Sequence, residues 1–93
     1  MPDEKLARAL RAKIRRQILC EISRNGKMSV HQIAKKLGVT EYTASRHLKI
    51  LYDLGIVDFE MRPPEKYYFI RLKSFKKLLD VYEEVTKEMK MYA

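Results

Sequence analysis

The amino-acid sequence predicts a mainly α-helical domain carrying one small β-hairpin. Three observations carry that expectation. Apolar residues recur at helical spacing through the first half of the chain, a β-favouring stretch from Ile56 to Leu72 is interrupted by Pro63-Pro64, and from about Ser74 apolar residues return at alternating spacings of three and four. With 93 residues, 46% of them hydrophobic and 34% charged, the chain suits a single small domain over residues 1–93. A core of that size buries only a modest part of the surface, and a partner subunit would add to it.

Taken in order, Leu6, Leu10, Ile14, Ile18 and Ile22 recur every four residues, so residues 4–24 read as one amphipathic helix ended by Asn25-Gly26. Ser29 followed by Gln32 is a capping box, starting a short second helix with Ile33, Ala34 and Leu37 inward. Gly38-Val39 forces a turn, and Thr40 caps a third helix reaching about Leu54. Ile56 to Phe59 and Tyr67 to Leu72 then form a hairpin whose tip, Arg62 to Lys66, is stiffened by proline. The last helix places Phe75, Leu78, Tyr82, Val85, Met89 and Tyr92 on a coiled-coil seam that a lone helix would expose. Helix, helix, helix, hairpin, helix is the order of a winged helix-turn-helix with an extra C-terminal dimerisation helix. Its reader core spans about 6–72 and its dimerisation helix about 74–92.

The formal net charge is +8, and a surplus of that size favours polyanionic partners through counterion release. The surplus lies in residues 1–50, on the first helix and the capped pair, whereas residues 51–93 are close to neutral. One cysteine, Cys20, excludes an internal disulfide and any multi-cysteine metal cluster in one chain. No apolar run approaches the roughly 18 residues of a membrane span, and the N-terminus lacks a signal-peptide core. A cytoplasmic protein without cofactor or metal is expected. An enzyme is not: no phosphate-cradling glycine loop, nucleophile elbow or cluster of His with carboxylates is present.

Winding residues 41–55 at about 100° per residue groups Ala44, Leu48 and Leu51 toward the core, with Leu54 and His47 on the shoulder. Tyr42, Arg46, Lys49 and Asp53 fall on the opposite face, with Ser45 at its edge and Thr40 and Thr43 at the helix start. An α-helix fits the major groove of double-stranded DNA, where Arg pairs bidentately with guanine and hydroxyls bond bases or phosphates. Arg46 is the candidate for base readout. Lys49, Lys35 and Lys36 are candidate phosphate contacts, which position a protein without reading sequence.

At these residues the chain resembles the ArsR-type winged-helix transcriptional regulators. The matching stretches are AKIRRQILCEIS, SVHQIAKKLGVTEYTASRHLKIL, DLGIVDFE and KYYFIRL, which together cover roughly residues 6–72. The resemblance implies a homodimer that reads an operator with the helix beginning at Thr40, touches flanking DNA with the wing, and represses transcription. It carries a DNA-facing role to Thr43, Ser45, Arg46 and Lys49, and a wing-tip role to Arg62 and Lys66. His47 aligns with a histidine common in that motif, and its shoulder position favours a packed or phosphate-bonded ring over a base reader. The metal-sensing relatives carry a cysteine pair where this chain has Ser29 and His31, so thiolate ligands for a soft metal are lacking. The tail offers Asp80, Glu83, Glu84 and Glu88 but no His, which suits a solvated helix face better than a second kind of metal site.

The restricted hairpin tip would hold Arg62 and Lys66 against phosphates at reduced ordering cost. A dimer interface is expected from Leu6 and Leu10 of the first helix with Phe75, Leu78, Tyr82, Val85 and Met89 of the tail. Cys20 winds to the side opposite the apolar stripe, among Lys13, Arg16 and Arg24, either exposed or turned to a partner. Cations there would lower its thiol pKa, although an incidental cysteine is the simpler reading. The competing function is a winged-helix module that binds protein in transcription or replication machinery, which would need no Arg46 or Lys49. Base stacking on Tyr67, Tyr68 and Phe69 ranks below duplex binding, because alternation in a half-buried strand explains those residues.

Overall fold

The computed structural model describes residues 1–92 and shows five helices with a three-stranded antiparallel sheet. The helices are α1 (Pro2–Arg11), α2 (Lys13–Asn25), α3 (Val30–Leu37), α4 (Glu41–Asp53) and α5 (Phe75–Met91). The strands are β1 (Met28–Ser29), β2 (Val57–Arg62) and β3 (Glu65–Ile70), in spatial order β1-β3-β2. This is a winged helix-turn-helix with an added C-terminal helix, as expected from the order of elements.

The predicted single helix over 4–24 is two helices, parted where Ala12 adopts extended backbone at φ −88°, ψ 132°. The apolar repeat runs through the break because both helices turn their stripes to the same core. What stabilises the break is a pair of guanidinium groups from the first turn of α2. Arg15 donates through Nη2 to the Arg8 carbonyl (2.7 Å) and through Nε to that of Ala9 (3.4 Å). Arg16 donates through Nη1 to the carbonyls of Leu10 (2.6 Å) and Arg11 (3.0 Å). The last four carbonyls of α1 have no partner within their own helix, and these two arginines supply one to each.

The helix pair is built by local chemistry. Gly26 ends α2 at φ +86°, where its N–H donates to the Ile22 carbonyl (2.7 Å). The Ser29 hydroxyl accepts from the Gln32 N–H (3.2 Å) while the Gln32 amide oxygen accepts from the Ser29 N–H (3.0 Å), closing the capping box of α3. Gly38 takes the left-handed conformation that releases the chain from α3, and Thr40 caps α4 by accepting from the Thr43 N–H (3.1 Å). The core beneath α4 joins Ala44, Leu48 and Leu51 to Ile18, Leu19, Ile22 and Ile33, all without exposure to solvent.

The hairpin is tighter than predicted. Arg62 pairs with Glu65 and Met61 with Lys66, so the tip is Pro63-Pro64 alone, joined by a cis peptide bond, and Lys66 lies within β3. The sheet has an unforeseen third member, since Met28 and Ser29 pair with Tyr68 and Tyr67. On α5, Phe75 and Leu79 are buried in the chain's own core. Phe75 therefore leaves the predicted interface seam: it closes the domain instead of facing a partner. Leu6 and Leu10 likewise pack, half-buried, against that core. Leu78, Val81, Tyr82, Val85 and Met89 form a second apolar stripe on α5 that remains exposed.

Because Leu48 is fully enclosed on the inner face of α4, Leu48→Ala is expected to destabilise the chain by about 2–5 kcal/mol. Urea unfolding followed by far-ultraviolet circular dichroism checks this, and a midpoint equal to that of the unmodified chain would place Leu48 outside the core.

Candidate nucleic-acid interface

The buried side of α4 determines what its other side can present. With Ala44, Leu48 and Leu51 inward, Tyr42, Ser45, Arg46 and Lys49 are exposed, and Tyr42 is 76% accessible despite its large apolar ring. Thr40 uses its oxygen for the cap and donates its proton to the Thr43 hydroxyl (2.9 Å). That arrangement leaves the Thr43 proton available to an acceptor beyond the helix start.

The wing flanks the reader helix. Tyr52 of α4, Phe59 of β2 and Tyr68 of β3 form a ladder of tilted rings with successive centroids 5.5 Å apart, which fastens the sheet to the C-terminal half of α4. Burial, with Tyr52 nearby, pushes the Tyr68 hydroxyl pKa up. Ser45, Lys49, Tyr52, Phe59 and Lys66 line the cleft between α4 and the wing. Lys66 holds its ammonium 4.7 Å from the Phe59 ring centre.

Cations in this region differ in whether the chain already neutralises them. Lys49 pairs along its helix with Asp53 (3.1 Å), and Arg62 pairs with Glu60 (3.3 Å) while lying over the Tyr67 ring. Glu60 also accepts from Lys27, and these two hydrogen bonds hold its carboxyl below the usual carboxylate range. Arg46 and Lys66 take no part in an ion pair among the described residues. Lys35 and Lys36, in the last turn of α3, share a separate hollow with Lys27 and Gln32, so the structure does not bring them into the cleft beside Lys66.

Sequence reading missed Arg15, which is only 9% exposed and has no carboxylate partner among the described residues. Besides closing α1, it donates through Nη1 to Nδ1 of His47 at 3.5 Å. A guanidinium cannot accept, so in this contact His47 Nδ1 can only accept, which favours the neutral ring with its proton on Nε2. Burial, then Arg15, then Arg46 lower the His47 pKa below its ordinary 6.5. The packed reading of His47 fits this placement. The only hint of the cap in sequence is the basic cluster Lys13-Arg15-Arg16 that follows the break.

Cys20 is neither exposed nor activated. It lies half-buried under α5, with its thiol 3.8 Å from Glu83 Oε1, and Arg24 bridges Glu21 (3.3 Å) and Glu83 (3.4 Å) beside it. Burial and Glu83 push the thiol pKa up, opposite to the effect expected from Lys13, Arg16 and Arg24 alone. Among the described residues no group of three or more His, Cys, Asp and Glu could hold a metal ion, and no helix is long and apolar enough to cross a membrane.

Residues 12–58, just over half of the chain, match the profile of the family described as "Bacterial regulatory protein, arsR family". Among solved structures, the chain is similar to the homodimeric winged helix-turn-helix DNA-binding domain Mb0332 from Mycobacterium bovis, at 26% identity and a TM-score of 0.86, covering 99% of this chain and 84% of that one. It also shares its fold with two transcriptional repressors. PagR of Bacillus anthracis has 21% identity and a TM-score of 0.78, over 87% of this chain and 92% of that one. BigR from Xylella fastidiosa has 21% identity and a TM-score of 0.80, over 88% and 83%. No curated protein matches the chain.

The neutral His47 gives a pH dependence of defined sign. Its folded pKa lies below 6.5, so the unfolded chain takes up the proton first; the contribution is complete above 6.5 and declines as pH falls through that value. Thermal melts between pH 8 and pH 5 are expected to show a loss of stability below pH 6.5 that His47→Gln reduces. Equal losses in both proteins would assign the dependence to other groups.

Proposed function

Since the chain belongs to the ArsR family of bacterial regulatory proteins, we propose that it is a sequence-specific double-stranded DNA-binding transcriptional regulator that acts as a homodimeric repressor. The observation that carries this reading is the division of α4. Its inner face has no exposure at Ala44, Leu48 and Leu51, while its outer face presents Arg46 without a carboxylate partner among the described residues, and Lys66 lines the wing cleft with Ser45 and Lys49 of the same helix. An exposed guanidinium on a helix anchored from behind suits bidentate pairing with guanine in the major groove. Thr40, Tyr42, Thr43 and Ser45 would add hydrogen bonds at the helix start and edge. Lys35, Lys36, Lys49, Arg62 and Lys66 would contact phosphates, with Lys49 and Arg62 exchanging Asp53 and Glu60 for them.

The dimer is supported by the α5 stripe and by the homodimeric state named for the Mycobacterium bovis domain. Leu78, Tyr82, Val85 and Met89, joined by Val81, would pair with the same stripe of a second copy, and Leu6 and Leu10 would border it. In this reading residues 6–72 are the reader core, residues 74–92 the dimerisation helix, and the protein works in the cytoplasm. Blocking a promoter requires occupancy alone, so the proposal includes no catalytic step.

Selection from a random duplex pool is expected to enrich a two-fold symmetric site with half-sites about one helical turn, 10–10.5 base pairs, apart. Arg46→Ala should relax preference at one base pair per half-site, at a cost of about 1–3 kcal/mol, whereas Lys49→Ala should weaken all duplexes alike. Enrichment of no sequence would overturn the reading. Light scattering at tens of micromolar protein should give twice the 11.1 kDa chain mass, and Val85→Asp with Met89→Asp should give a folded monomer. An unmodified chain that is monomeric under those conditions would remove the dimer from the proposal.

A further inference from the structure

The α1–α2 corner carries charge that the reading above leaves unused. Arg8 and Arg11 lie three residues apart near the end of α1, hence on neighbouring positions of one helix face, and both are exposed. Neither enters an ion pair among the described residues; Asp3 and Glu4, in the first turn of the same helix, are not bound to them. Arg15 and Arg16 add two further guanidiniums at this helix end, both occupied with carbonyls.

This corner is tied to the reader helix. One planar guanidinium, that of Arg15, spans from the Arg8 carbonyl (2.7 Å) to His47 Nδ1 (3.5 Å), and His47 adjoins Arg46 in α4. The electrostatics agree with the geometry. After burial, the groups that depress the Arg15 pKa are Arg8 and Arg11, and those that depress the His47 pKa are Arg15 and Arg46; no carboxylate opposes either effect. Like charges gathered this closely repel one another in the isolated chain, and a polyanion laid across them relieves that repulsion. Because Arg15 ties this corner to the helix that carries Arg46, the polyanion that fits is the duplex proposed for α4.

We propose that Arg8 and Arg11 form a second phosphate-binding site for duplex DNA, on the α1–α2 corner, held in place beside the reader helix by the buried guanidinium of Arg15. The site extends the footprint along the DNA backbone beyond α4 and the wing, and it contributes affinity without sequence preference.

This inference rests on the duplex-binding reading, and one experiment separates the two. Binding of the full chain to a pool-selected duplex and to an unrelated duplex of equal length is measured from 50 to 300 mM salt. Arg8→Gln with Arg11→Gln is expected to weaken both duplexes by the same factor and to lower the slope of log K against log salt by about 0.9 for each phosphate no longer neutralised. Arg8→Lys with Arg11→Lys should restore the slope, because a phosphate interaction of this kind requires charge rather than a fork. Circular dichroism and light scattering establish that each variant keeps its fold and assembly, and the two single variants, each expected to give half the effect, serve if the double variant does not fold. An unmodified chain that binds neither duplex overturns the proposed function. Normal binding with an unchanged slope in the glutamine variants overturns the second site alone, as does a change confined to the selected duplex.

Discussion

A single buried guanidinium joins the parts of this molecule that its chain connectivity would leave apart. Arg15 is a cation with almost no contact with water and no carboxylate partner among the described residues, an arrangement that costs free energy unless its three nitrogens find acceptors. Two carbonyls of α1 and one ring nitrogen of α4 are those acceptors. Hydrogen bonds from a charged donor are each worth about 1.5–3 kcal/mol, enough to offset desolvation when several converge. The same bonds end α1, start α2 at an angle to it and hold α4 from behind. Without that group, the apolar stripes of α1 and α2 could continue as one straight helix, as their spacing suggests.

The distribution of charge follows from how the rest is packed. Cations close to acidic side chains are neutralised within the chain: Arg24 by Glu21 and Glu83, Lys27 and Arg62 by Glu60, Lys49 by Asp53. Arg46 on the outer face of α4, Lys66 beside the wing tip, and Arg8 and Arg11 at the α1–α2 corner form no ion pair among the described residues. A surface charge pair contributes little to stability, so the neutralised cations matter less for folding than for limiting where the excess positive potential lies. The exposed cations left without an ion pair among the described residues, Arg46 on the reader helix included, are the ones free to meet an anionic partner.

Local chemistry made much of this legible in the amino acids. Ser29 with Gln32, Gly38 and Thr40 determine helix ends within a few residues, and the spacing of Ala44, Leu48 and Leu51 determines which side of α4 is buried. What escaped depends on contacts distant in sequence. Ala12 is a good helix former and does not itself announce a break; the cause lies in side chains that fold back onto an already formed helix end. Cys20 looks exposed on a helical wheel because the element that covers it begins 55 residues later. On α5 a single heptad-like seam conceals two adjacent stripes, and only the packed structure separates Phe75 and Leu79 from Leu78, Val85 and Met89. The strand at Met28-Ser29 is too short for any alternation to show. Of the candidate interface, Arg46 could be picked as an exposed cation from one helix, but the buried Arg15 could not, since its role exists only once three helices meet.

That two-residue strand has a consequence for how such a protein can change over time. Ser29 pairs its backbone with Tyr67 of the wing while its side chain caps α3, so one residue sets both the attitude of the helix pair and the position of the hairpin. The angle between reader and wing is thus written in main-chain geometry and in a hydroxyl that is shielded from solvent. Outward side chains such as Tyr42, Ser45 and Arg46 contribute nothing to that angle. A gene copy is therefore free to accumulate substitutions at those positions and acquire a new target without having to rediscover the gap between its two points of grip.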